Sequence, residues 1–272
     1  MSLPILPSHR SVSAEDLVRL FYQAETDWGR QVGDESTLDA GRALTNRTLA
    51  QVSDANQVVD AAIPEGATPQ DVIAEADAHF ASQGTTVLKW VVNPSLPAAQ
   101  TQPLVEHVTS IGFHPRGYDI YYLAGQPART IVEAAGLTII PSRASFKHTR
   151  ALADEAAAYF KFPQLAEAII LHIEDPQTDS LLALRDGQPA AYVSILNMGE
   201  IGYISELFVA EKFRGQGVGR TMMSRAMEAC ARAVHRHVFI GVDATNAPAV
   251  RLYEQFGFKR IGVFSFYSKT KL

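Results

Sequence analysis

A mixed α/β fold, a sheet flanked by helices, is predicted by three features of the 272-residue sequence. Apolar runs of strand type alternate with amphipathic helical patterns along the chain, Asp186-Gly187 joins two apolar runs as a hairpin turn, and a glycine-rich turn at 214–219 separates a strand from a long helical pattern. At roughly 150 residues per domain, the length allows nearly two domains and a sizeable core.

The first half reads as a helix at 13–30, a polar stretch of no clear type, a strand at 57–63 and a helix at 68–83. Thr68 has the character of an N-cap, with Pro69 at the first helical position. The apolar run at 86–92, a helix at 102–111 and a strand at 118–123 follow. Ala124-Gly125-Gln126-Pro127 then breaks the pattern, and the domain boundary is placed between Gly125 and Gly136. Beyond it come a strand at 137–140, helices at 146–161 and 163–174, and strands at 180–185, 190–197 and 203–210. A helix to residue 233, a strand at 237–242, a helix at 247–256 and a strand at 263–267 complete the chain. An offset of 145 lays Val105, Gly112, Phe113, Gly117 and Tyr122 on Val250, Gly257, Phe258, Gly262 and Tyr267, an echo that favours an ancient duplication.

Composition removes several function classes. Hydrophobic residues at 47% and charged residues at 19% describe a globular chain. The longest apolar runs fall far short of the ~20 residues that cross a bilayer, so no membrane association is expected. No export signal is read at the N-terminus, and Cys230, the one cysteine, excludes an intrachain disulfide and a multi-cysteine zinc site. The cytoplasm is the expected compartment. Lys and Arg number 24 against 29 Asp and Glu, which argues against nucleic acid as a partner. Residues 1–135 carry 8 basic against 16 acidic side chains, a balance of −8, and residues 136–272 carry 16 against 13, a balance of +3. An anionic ligand is therefore expected on the second half.

The chemistry is concentrated at Arg214-Gly215-Gln216-Gly217-Val218-Gly219, between a strand and a helix. Glycines without Cβ atoms let successive amides point into one concavity at a helix N-terminus, where the helix dipole also favours an anion such as pyrophosphate. A P-loop needs Gly-Lys-Ser/Thr where this chain has Gly217-Val218-Gly219. A dinucleotide fingerprint needs Gly-x-Gly-x-x-Gly, and the spacing here is Gly-x-Gly-x-Gly. Both fit poorly.

Taken with Asn246 and Tyr253 in Asn-Ala-Pro-Ala-Val-Arg-Leu-Tyr, this turn resembles the GNAT superfamily of acyl-CoA-dependent N-acetyltransferases over residues 136–272. The resemblance implies a centrally splayed sheet, a catalytic domain at 131–272, and at 1–130 a smaller, degenerate GNAT-like domain that lacks a cofactor site of its own. It implies acetyl-CoA as cofactor, an amine as acceptor, and a monomer or homodimer. Amides from Gly215 through Gln216, Gly217, Val218 and Gly219 to Arg220 would cradle the pyrophosphate, with Arg214 adding charge. Leu207, Phe208 and Val209 are assigned to the cofactor, backbone groups of Leu207 and Val209 pairing with it like an added strand. Asn246 would bond the pantetheine arm and Ala249 would let it come close.

The same resemblance places Tyr253 at the thioester sulfur and the Leu207 amide at the developing oxyanion. Glu206, on the strand that carries Leu207, is the candidate base, with a solvent-linked water relay as its alternative. Tyr203 occupies the place where some members have a catalytic Glu. A non-catalytic acyl-CoA sensor is the alternative function, and Tyr253 speaks against it, since a sensor has no thiolate to release. No metal site is expected: His235 and His237 read as a solvated strand entrance. Phe160, Phe162 and Pro163 read either as a substrate mouth or as a helix corner.

Overall fold

The computed structural model describes residues 12–124 and 134–269. The division expected at 130/131, most of the preceding glycine-proline break, and the N-terminal segment read for an export signal lie outside these residues. The first half runs α1 (Ala14–Arg30), β1 (Asp34–Leu38), β2 (Gly41–Thr45), β3 (Gln57–Ala61), α2 (Pro69–Ser82), β4 (Lys89–Val92), α3 (Ala98–Ser110) and β5 (His114–Ala124). The second runs β6 (Leu137–Pro141), a 3-10 turn (Ser142–Ser145), α4 (Phe146–Tyr159), α5 (Leu165–Glu174), β7 (Thr178–Arg185), β8 (Gln188–Met198) and β9 (Ile201–Val209). It ends with α6 (Val218–Arg232), β10 (His237–Val242), α7 (Ala247–Gln255) and β11 (Lys259–Ser268).

The eleven strands of the described residues join one mixed sheet in the order β1-β2-β3-β4-β11-β5-β10-β9-β8-β7-β6. The order is symmetric about the β11-β5 pair except for β6, an extra edge strand of the second half. β3-β4 and β9-β10 are parallel, whereas β4-β11 and β10-β5 are antiparallel, so each half ends in a strand that completes the other half. The sequence echo has a structural counterpart: α3-β5 plays the part of α7-β11, and Tyr122 opposite Phe239 matches Tyr267 opposite Trp90. Gly117 permits the central contact, because a Cβ there would lie 2.7 Å from the Phe264 carbonyl oxygen.

The β1-β2 hairpin replaces what read as a polar stretch of no type. Only Leu38 of β1 is buried, so this edge strand lacks the alternation that marks a half-buried one. β5 and β11 each begin four residues earlier than expected, because their polar ends are recruited by pairing with each other, as in His114 with Ser268 and Tyr122 with Lys259. That pairing is tertiary and leaves no local pattern.

α1 binds the halves together. Its stripe of Leu17, Phe21, Ala24 and Trp28 packs on Phe264 and Phe266 and also on Leu196, Tyr203 and Phe239 of the second half. Phe21 is fully buried, a contribution of roughly 1.5–3 kcal/mol by itself. The second half buries α4 and α5 on one sheet face through Leu152, Ile169, Tyr192 and Phe208, and α6 on the other through Met222, Met223 and Met227.

Candidate active site

The site begins where two strands part. β9 and β10 pair in parallel only as far as Tyr203 and Phe239, although β9 continues to Val209 and β10 to Val242. The register of β9 against β8 also shifts there, with Ser194 opposite Glu206 and Ile195 opposite Ile204, which leaves Ser205 as a bulge. Bulges bend a strand and end its pairing. A wedge therefore opens between the outer parts of β9 and β10.

Backbone parity decides what faces that wedge. The Ala210 amide donates to Ala190 at 2.9 Å, so alternate residues Ala210, Phe208 and Glu206 turn their backbone groups toward β8. Leu207 and Val209 turn theirs away, into the opening. The Phe208 side chain is buried in the α4-α5 core, so the polar part it offers is limited to β8. The Val209 carbonyl already accepts a bond from Arg214 Nε at 3.0 Å.

The glycine turn ends β9 and starts α6. Gly215 and Gly217 have φ of +73° and +79°, the left-handed region that disfavours side chains. Gly217 is the N-cap of α6, and among the described residues no side chain accepts from the first helical amides. The N–H groups at Val218, Gly219 and Arg220 thus end the helix dipole uncapped, as an anion seat requires. Arg214 is drawn sideways: its guanidinium lies 4.2 Å from the Tyr159 ring centroid, so it contributes field to the cradle and not a donor pointed into it. Gln216 is held by Arg185 at 2.7 Å, and Arg220 by Gln255 at 3.1 Å.

α7 supplies the other wall. Asn246 caps it, its Oδ1 accepting from the Ala249 amide at 3.3 Å, which leaves Nδ2 for a ligand. Ala249 packs against the core, and Tyr253 is buried beside Tyr121 and Phe258. Burial pushes the Tyr253 hydroxyl up to about 12. Glu206 points to the α4-α5 side; burial raises its carboxyl to about 8, and Ser194 Oγ donates to it at 3.3 Å.

A family profile described as "Acetyltransferase (GNAT) family" matches residues 149–258, the segment that carries this wedge, the uncapped turn and Tyr253. Residues 149–258 belong to the GNAT family. A candidate ribosomal-protein alanine N-acetyltransferase of Bacillus subtilis is 30% identical over 91 residues, covering 34% of this chain and 60% of that one. The chain thus spans three fifths of that relative's length. A GCN5-related N-acetyltransferase from Kribbella flavida shares the fold at a TM-score of 0.63 and 14% identity, over 93% of this chain and 96% of that one. A tandem GNAT protein from the clavulanic acid biosynthesis pathway matches at 0.51 and 17% identity, over 75% and 70%.

The GNAT domain receives several polar groups that the sequence did not single out. The Tyr203 hydroxyl donates to Glu25 of α1, so a carboxylate from the first half stands behind the position where the family resemblance looks for one on β9. Burial raises Glu25 to about 7, against the opposing charge of Lys89. Lys89, fully buried, binds Asp54 at 2.6 Å and sits over Phe264 and Phe266. Burial would raise the Asp54 carboxyl, but the Lys89 charge and hydrogen bond bring it below the ordinary value. The ring of His172 stacks on Trp28 at 3.5 Å, and burial pushes it down to about 3, so it is neutral. The available signal for Glu25 was a carboxylate on the apolar stripe of α1; for Lys89 there was none beyond a charge in an apolar run. His235 is buried rather than solvated, and His237 meets the Tyr122 hydroxyl at 2.9 Å. Phe160 is exposed, whereas Phe162 packs beside Val52 of the first half and Ala168 of α5.

Proposed function

We propose that the chain transfers an acetyl group from acetyl-CoA to a primary amine. The observation that carries this is the wedge between β9 and β10, which ends in the uncapped N-terminus of α6. The residues fit the cofactor. The first amides of α6 would hold its phosphates, the outward groups of Leu207 and Val209 and Nδ2 of Asn246 would pair with its arm, and Arg214 would have to yield the Val209 carbonyl. Ser205 at the bulge keeps a buried hydroxyl with no partner among the described residues, the kind of group that a ligand completes.

When bound, acetyl-CoA supplies an acyl thioester. The Leu207 amide, aimed into the opening, favours negative charge on an acyl oxygen there. Tyr253 serves the sulfur end as a hydrogen-bond donor. With its hydroxyl at about 12, full proton transfer to a thiolate near pKa 8.5 is uphill by ~5 kcal/mol. Glu206 takes the proton of the incoming ammonium, since a primary amine near pKa 10.4 is only ~10⁻³ neutral at pH 7.

The sign of the pH dependence follows. Below about 8 Glu206 holds its proton and cannot act, so kcat/KM rises ~tenfold per pH unit and levels above that value. Glu206→Gln is expected to lose this plateau and to follow the amine's own ionisation. An unchanged profile would transfer the base role to water. Acceptors are found by thiol release across polyamines, aminoglycosides, amino acids and peptides. Tight acetyl-CoA binding with no turnover on any of them would favour a sensor.

A further inference from the structure

The wedge has two faces, and the groups that the proposed reaction needs are divided between them. The side chains of Ile204, Leu207 and Val209 turn to the face covered by α6 and α7, where Met222 and Tyr253 lie. Tyr203 packs on the opposite face, against α1, and Glu206 points to the α4-α5 side of that same face. The thiol departs beside Tyr253, so the amine approaches from the side of Glu206, which is partly exposed.

The first half bounds that approach. Phe21 of α1 lies over both strands of the fork, its ring centroid 5.4 Å from that of Tyr203 on β9 and 6.1 Å from that of Phe239 on β10, the last rung before they part. Beyond the rung, Gly241 of β10 makes room for it: a Cβ there would stand 3.0 Å from Phe21 Cζ and 3.6 Å from the Tyr118 ring. One turn along α1, Glu25 accepts the bond from the Tyr203 hydroxyl. The first-half segment 46–56 docks on the α4-α5 corner, where the Gln51 amide donates to Gln164 Oε1 at 2.7 Å and Phe162 packs on Val52.

That segment carries Asp54, whose carbonyl is held by Gln57 Nε2 at 2.8 Å and whose Oδ1 is held by Lys89 Nζ at 2.6 Å. The ion pair has a dry end and a wet end, since the Lys89 side chain is 2% exposed and that of Asp54 is 35% exposed. Oδ2 accepts no hydrogen bond among the described residues. The Asp54 charge reaches Glu206, Tyr203, Tyr118 and Glu25, so the carboxylate faces the fork from the first half. His172 beside it is neutral, which leaves three carboxyls against the one ammonium of Lys89 among these residues. Burial raises Glu25 and Glu206 to about 7 and about 8, and a cation between the halves would favour the ionised form of both.

We propose that the acceptor enters between the halves and is a dication: the ammonium to be acetylated faces Glu206, and Oδ2 of Asp54 holds a second ammonium or guanidinium of the same molecule. This rests on the wedge being the acetyl-CoA site. Asp54 touches no reacting atom and determines specificity, because an anionic acceptor meets carboxylates without a counterion and is rejected. The acidic surplus of the first half thereby gains a part in the reaction besides packing.

The test uses analogues anchored by the cofactor, in which the CoA sulfur is joined through an acetyl bridge to one nitrogen of an α,ω-diamine, of a monoalkylamine or of an ω-amino acid of the same chain length. Calorimetry over a series of lengths then reads the free end of the tail. At its best length the cationic tail is expected to bind about tenfold tighter than the neutral one, and the anionic tail more weakly than either, the gain shrinking at high salt. Equal affinity of the three tails at every length overturns the proposal without any variant. Asp54→Asn strands the buried Lys89 charge, so it is read beside Asp54→Asn combined with Lys89→Met. In both, the ratio of cationic to neutral affinity should fall to near one, and any general weakening cancels in that ratio. A folded double variant that keeps the ratio overturns the role of Asp54. The two readings fail separately: an unsubstituted protein that does not bind CoA refutes the wedge, whereas CoA binding that ignores the charge of the tail refutes the dication.

Discussion

The two halves repeat one topology and differ at the places where a ligand would sit. In the second half β9 and β10 part after Tyr203 and Phe239. In the first half the corresponding strands, β3 and β4, loosen after Val58 but close again at Ala61 opposite Val92, and the Asn93 amide donates to Ala61. α6 starts at an uncapped glycine. α2 starts at a capping box in which Thr68 accepts from the Asp71 amide and Asp71 accepts from Thr68, so a carboxylate of the chain already fills the anion seat. The position that matches Tyr253 by the 145-residue offset is Val108, fully buried. A shared fold thus leaves function to a few local choices: whether two strands separate, whether a helix end is capped, and whether one core position carries a hydroxyl.

The largest expected effect concerns that hydroxyl. Tyr253→Phe keeps the ring and its packing but removes the donor, so turnover should fall ~10² to 10⁴-fold while cofactor affinity, read by calorimetry, changes little. Near-normal turnover would erase the distinction drawn from Val108. Next comes the helix end. Gly217→Glu places a carboxylate at the anion seat, as Asp71 does in the first half, and should weaken CoA binding ~100-fold or more with the circular dichroism spectrum retained. Because Gly217 has positive φ, Gly217→Ala serves as the control for backbone strain, and it should lose far less affinity. The smallest effect sharpens the comparison from the other side. Thr68→Ala uncaps α2 and should cost ~1 kcal/mol in denaturant unfolding, yet titration should still find one CoA per chain, because β3 and β4 remain joined. A second equivalent bound by this variant would mean that the cap alone silenced the first half.

Much of the second half was legible because its signals are local. The Asp186-Gly187 hairpin, the glycine turn and the amphipathic α6 each rest on residues adjacent in sequence, and the structure places the hairpin and the helix where those signals put them. The β1-β2 hairpin was not legible, since an exposed edge strand needs no apolar alternation. Within the candidate site, Tyr253, Asn246 and the turn came from motif spacing. Glu25 did not, because its meaning depends on Tyr203, 178 residues away.

Apart from the β1-β2 hairpin and the polar starts of β5 and β11, the sequence by itself determined which segments become helices and strands, where an uncapped glycine could begin α6, and the echo between α3-β5 and α7-β11, for each is set by backbone preference and side-chain pattern over a few neighbouring residues. Only the tertiary structure decided that β5 and β11 cross into each other's halves, that β9 leaves β10 at Ser205, that Lys89 is buried against Asp54, and that Phe21 of the first half lies over both strands of the fork. Those outcomes depend on register between distant strands. Burial then turns ordinary side chains into groups that must find partners, and the partners are supplied by segments that no local pattern connects.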